Sequence, residues 1–167
     1  PVEGAYTTCL VDFKMMAAIH EGSVDVPGPW VLGYRPKKWM EMKPQFYMKH
    51  AQKVRQFYLT LPKYVNNYTD FNCGHFAAHY SATTFKPDEM HLYGFDSLFD
   101  MNLRSCTDFY LNSDRGAGNN VRLNDNWRPI WKSLFEEFSH QTKFILHHKH
   151  NKIKFDVPEN VEIYVKK

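Results

Sequence analysis

The sequence is poor in cysteine and glycine, with three and eight among 167 residues. Cys9, Cys73 and Cys106 are odd in number, widely spaced and form no C-x-x-C pair, which argues against a disulfide framework or a structural zinc site. Free thiols in a reducing compartment are the simplest reading. No apolar run approaches the ~20 residues that a membrane helix needs. No basic-then-apolar leader opens the chain, which begins at Pro1. No strong excess of charge exists either: 21 Lys and Arg stand against 18 acids, spread along the chain, where a nucleic-acid binder shows a denser stripe. Only Lys143 to Lys154 is locally biased, with four lysines and three histidines. There is no internal repeat, so a single α/β domain over 1–167 is expected. The G-x-S-x-G, P-loop, H-E-x-x-H and G-x-G-x-x-G signatures are all missing.

What is present is aromatic. Thirteen Phe, ten Tyr and four Trp argue against a disordered chain. Tyr6 to Phe13 reads as a strand and Lys14 to His20 as a short helix. Gly22, Pro27, Gly28 and Pro29 then force a loop. Trp30 to Tyr34 reads as a buried strand, and Pro36 starts a helix through Met42. Phe46, His50, Val54, Phe57 and Leu61 sit at helical spacing and predict helix at the core of Gln45 to Leu61, which Pro62 stops. Gly74 to Phe85 reads as helix, Glu89 to Tyr93 as strand, and Asn112 to Asn120 as a flexible loop. Trp127, Ile130, Trp131, Leu134, Phe135 and Phe138 form one apolar helical stripe. Lys143 to His148 and Asn160 to Val165 close the chain as strands. The alternation predicts a Rossmann-like three-layer α/β sandwich with a mostly parallel sheet; the alternative is α+β, with the last strand antiparallel at an edge.

Several constellations bear on chemistry. Asn72-Cys73-Gly74-His75 lies where a loop enters a helix, and exposed N–H groups at such a start bind anions. Gly94, Asp96 and Ser97 follow the carboxyl end of a strand, the edge at which open α/β sheets bind ligands. Asp12 ends the first strand; it either reaches that edge or caps the following helix. His75 and His79, four apart, have the spacing of a metal pair but no third ligand, so a core or surface pair is the better reading. His147, His148 and His150 make a tract at a strand end, where a solvated edge is the commoner outcome and a general base the sharper one.

The order of a Cys-Gly helix start (Cys73-Gly74 to Phe85), a strand running into Gly94-x-Asp96, a variable loop, a long amphipathic helix (Asp125 to Ser139) and a closing strand (Lys143 to His148) resembles the carboxyl-terminal half of Rossmann-like bacterial sialyltransferases. It is also similar to the motility-accessory-factor glycosyltransferases, a layout that some bacteriophage proteins share. The resemblance covers about residues 70 to 150. It implies a glycosyltransferase-like protein with a CMP-sugar donor, a glycan or protein acceptor, and no bound metal or other cofactor. Cys73, Gly74 and His75 would face the nucleotide, Asp12 would contact it, and Gly94, Asp96 and Ser97 would line the cleft. Where the family has tyrosines that steady the leaving phosphate, this chain offers Leu98 and Arg104, with Tyr110 further on. Where the family has a catalytic histidine before the long helix, it offers Asn124, Asp125 and Asn126, of which Asp125 could act as a base, with Asp96 as the other candidate catalytic residue. The family's first strand and G-x-G-P-S turn are absent, so the unit is expected to lack its first β-α element.

The missing histidine, tyrosines and turn motivate a second reading, a non-catalytic viral structural or host-interaction protein of the same fold. It would present aromatics such as Trp30, Trp39 and Tyr58 to a protein partner or a second copy. Either protein would be cytoplasmic, in a bacterial host if viral. Nucleic acid bound through the His/Lys tail is the least supported partner.

Overall fold

The structure is a computed structural model and describes residues 4–95, 127–148 and 156–165. Contacts divide the chain into two compact units, Pro1–Tyr80 and Ser81–Lys167. Both are mixed helix and strand with a small parallel sheet, an α/β architecture compatible with a Rossmann-like fold.

The first unit is built as β1 (Thr8–Leu10), α1 (Phe13–Glu21), β2 (Trp30–Leu32), α2 (Tyr34–Met42), α3 (Pro44–His50) and β3 (Val54–Phe57). Its strands run parallel in the order β1-β2-β3, with Cys9 opposite Val31 and Leu32 opposite Phe57. This βαβαβ arrangement is compatible with one half of a doubly wound α/β fold. Asp12 starts α1 by accepting from Lys14 N at 3.0 Å, and Gly22 ends it in the left-handed conformation. α1, α2 and α3 bury Met16, Ile19, Met40 and Phe46 with Trp30 and Leu32 of the sheet in one core. Trp30, offered by the sequence as a contact-surface residue, is 0% exposed. Its indole donates to the carbonyls of Val26 and Pro27, so a surface role for it is corrected.

A second correction concerns Gln45 to Leu61. Only Pro44–His50 is α-helical; a 3-10 turn at Ala51–Lys53 follows, and the chain then extends as β3. Val54 and Phe57 pack on the core from a strand, so their spacing mimics a helical face without being one.

α4 (Cys73–Phe85) leads from the first unit into the second. The second unit contains β4 (Glu89–Tyr93), α5 (Trp127–Glu137), β5 (Lys143–His148) and β6 (Val161–Val165). β4 pairs β5 and β5 pairs β6, both parallel and in unbroken register. The last strand is therefore not the antiparallel edge of the α+β alternative. α5 buries Trp127, Ile130, Trp131, Leu134 and Phe135, the stripe expected from the sequence, at roughly 1.5–3 kcal/mol for each large apolar side chain taken from water. Asn160 fixes the entry to β6, its amide donating to Phe135 O at 2.9 Å and Thr142 O at 3.1 Å. Among the described residues, no helix is long and apolar enough to cross a membrane.

Candidate functional site

In a parallel sheet all carboxyl ends lie at one edge. In the first unit the chain leaves β1 at Val11, β2 at Gly33 and β3 at Tyr58. Backbone bonds carry the ladder past the strands, Gly33 N to Leu10 O and Tyr58 N to Leu32 O, each 2.9 Å. A side chain at position 33 would put its Cβ 3.2 Å from Phe76 Cε2, so glycine there lets the first turn of α4 approach the strand ends. A shallow depression, open to solvent and enclosing little more than the space of one water, lies at this edge. Arg35, Tyr34 and Tyr68 line it, with Tyr58, Thr60 and apolar groups that include Val11, Phe71 and Phe76. The Tyr34 and Tyr68 rings stack, 4.6 Å apart and 15° from parallel.

The start of α4 is a reciprocal cap. Asn72 Oδ1 accepts from His75 N at 3.0 Å, and His75 Nδ1 accepts from Asn72 N at 3.2 Å. Histidine thus fills the position usually held by Glu or Gln in a capping box. Because Nδ1 is an acceptor, the bonded imidazole carries its proton on Nε2. The ring is fully buried and stacks on Phe71, 5.7 Å apart and 11° from parallel. The first intrahelical bond uses Phe76 N to Asn72 O. The N–H groups of Cys73 and Gly74 are left as donors at the positive end of a 13-residue helix.

Cys73 is exposed as a residue, but its thiol turns inward and donates to Cys9 O at 3.1 Å. Burial pushes that thiol up to about 11, with a further rise from the Asp12 carboxylate. Burial, then the neighbouring Cys73, pushes Cys9 up to about 12. Both thiols stay protonated at neutral pH, and neither is an activated nucleophile. Of the two readings of Asp12, the structure shows the helix cap; the residue is exposed and close enough to raise Cys73.

His75 and His79 do not converge on a metal. Their Nδ1 atoms serve separate partners, Asn72 N and, at 2.8 Å, Tyr58 Oη. Among the described residues no group of three His, Cys, Asp or Glu has the arrangement to hold a metal ion. In the second unit His147 stacks on Tyr93, 4.1 Å apart, and its Nε2 meets His91 Nδ1 at 2.8 Å, so one ring donates and the other accepts. Gly94 follows β4 with φ of 78°, a left-handed conformation that favours glycine, and among the described residues a Cβ there would meet nothing within 4 Å. Asp96, Ser97, Arg104, Tyr110, Asp125 and His150 lie outside the described residues.

At this edge the structure places Tyr34, Arg35 and Tyr68, which the sequence reading passed over, and Tyr58, which it had offered as a contact-surface aromatic; beside them Phe76 of α4 meets Gly33, and the Cys73 thiol reaches Cys9 O of β1 with Asp12 close by. A usable signal was present. Gly33-Tyr34-Arg35 follows β2 as Gly94-Phe95-Asp96 follows β4, a strand leading into glycine, an aromatic residue and a charge. Fold and cleft together give an α/β protein, compatible with a Rossmann-like fold, with a shallow cleft at the carboxyl edge of its first sheet. Compared with known protein families, curated proteins and solved structures, the chain finds no match.

Proposed function

We propose that the chain is a nucleotide-binding, glycosyltransferase-like protein that takes a CMP-type sugar donor at the carboxyl edge of β1–β3. The observation that carries the reading is the meeting at one edge of Arg35 and the stacked Tyr34–Tyr68 pair, with the first turn of α4 packed beside it through Phe76. A guanidinium and two helix-terminal N–H groups suit a phosphate, and a tyrosine face suits a base. Asp125 is the proposed general base that takes the proton of the attacking hydroxyl of a glycan or protein acceptor as the sugar–phosphate bond of the donor breaks, and Asp96 is the second proposed catalytic residue. Gly94, Ser97, Arg104 and Tyr110 are the proposed donor contacts of the second half.

Isothermal titration of the full chain with CMP and a CMP-sugar tests this. Binding is expected, weakened at least tenfold by Arg35→Ala, and Asp96→Ala is expected to stop turnover while leaving CMP bound. No binding at millimolar CMP overturns the reading. One observation favours the non-catalytic alternative: among the described residues, no carboxylate or imidazole lines the cleft. Tight CMP binding with no turnover of any CMP-sugar would decide for it.

A further inference from the structure

The net charge of +3 conceals a strong local imbalance. Between Tyr34 and Arg55 the chain carries seven Lys and Arg against one acid, Glu41; the remaining residues hold fourteen bases and seventeen acids. Lys37 and Lys38 share that acid as partner. Lys43 and Lys49 are exposed. Lys53 pairs with Asp25 from outside the stretch, at 3.1 Å. The field of this surface is felt by His50, whose pKa is lowered first by burial and then by Lys53 and Lys49.

Flat and soft side chains stand between the cations. On α2, Lys38 lies 5.7 Å over the ring of Tyr34, and Met42 is 62% exposed; on α3, Tyr47 is 42% and Met48 79% exposed. Glu41 apart, α2 and α3 contain no acid that would repel a polyanion.

We propose that the outer surface of α2 and α3 docks a single-stranded nucleic acid, with Lys38, Lys43 and Lys49 on its phosphates and Tyr47 against its bases. Charge complementarity and cations interleaved with rings are the two elements of single-strand recognition. Tyr47 favours this occupant over an anionic lipid surface, since its exposed ring adds stacking that a headgroup does not return. The site is independent of the nucleotide proposed for the cleft, and it differs from the His/Lys tail considered in the sequence.

The test is fluorescence anisotropy of the full chain with a labelled 20-nucleotide oligo(U), titrated at 50, 100 and 200 mM KCl. Binding should weaken with salt at a logarithmic slope of about −0.7 for each phosphate neutralised, so roughly −2 for three contacts. Lys43→Glu with Lys49→Glu should lower affinity at least tenfold and flatten the slope. Tyr47→Ala should lower affinity about fivefold at unchanged slope, the low end of a stacking contribution. Circular dichroism checks the fold; if the double variant does not fold, Lys49→Glu alone is read in the same way. No oligonucleotide binding at 50 mM KCl overturns the proposal, as does unchanged affinity in the folded charge-reversal variant. Charge-dependent binding to phosphatidylserine vesicles, without binding to the oligonucleotide, also overturns it and assigns the surface to lipid.

Discussion

At the residue scale the telling groups are those whose chemistry the fold has committed elsewhere. Asn72 and His75 spend their hydrogen bonds on each other. Asn72→Ala is therefore expected to cost about 1–2 kcal/mol, the usual range for a lost N-cap, read as a lower urea midpoint at unchanged m-value; Asn72→Asp should restore most of it. A loss below a few tenths of a kcal/mol would show that the cap contributes nothing net. The thiols give a pH signature. Cys9 rises from 9.0 to about 12 and Cys73 from 9.0 to about 11, so each holds its proton more tightly folded than unfolded. Their contribution is complete below pH 9 and is lost as pH rises through the folded values, because the unfolded chain releases protons first. Stability should fall between pH 9 and 11, and Cys9→Ala should make that decline shallower. An identical slope in the variant would mean that other alkaline groups set it.

At the element scale, what was legible in the sequence and what was not have separate physical causes. β4 and β5 fall where their β-rich runs placed them, because a short apolar run bounded by breakers has few other ways to bury itself. α5 was legible because six apolar residues on one stripe leave a helix no other face to present. β3 was not. Val54-Arg55-Gln56-Phe57 lacks alternation, and its extended form comes from pairing with β2, a tertiary contact that overrides local pattern. The same holds for the site. The α4 start was visible as a glycine near a helix cap, but Tyr34 and Tyr68 become one feature only when the fold stacks rings 34 residues apart. The α5–β5 packing permits a direct check. Phe135 and Phe144 are both 0% exposed, with ring centroids 4.8 Å apart. Phe135→Ala should cost about 3–5 kcal/mol, measured by denaturant unfolding. A cost under 1 kcal/mol would mean that this interior is loosely packed.

At the scale of the whole molecule, charge and proposed chemistry fall in the same place. The first 80 residues carry nine bases and six acids, while the second unit carries twelve of each. The unit whose sheet edge holds the cleft is thus also the one that attracts anions. A nucleotide bound there should stabilise by mass action, about 2.7 kcal/mol at a hundredfold excess over Kd, and the gain should be local. Hydrogen exchange with and without saturating CMP reads this amide by amide. Slower exchange is expected at Cys73 and Gly74, whose N–H groups the cap leaves unused, and at Gly33 through Arg35 after β2. The amides of β5 and β6 should be unchanged at early exchange times. Arg35→Ala should remove the added protection while keeping the ligand-free pattern. Protection confined to β4–β6 would move the nucleotide to the second unit and overturn the assignment of the cleft.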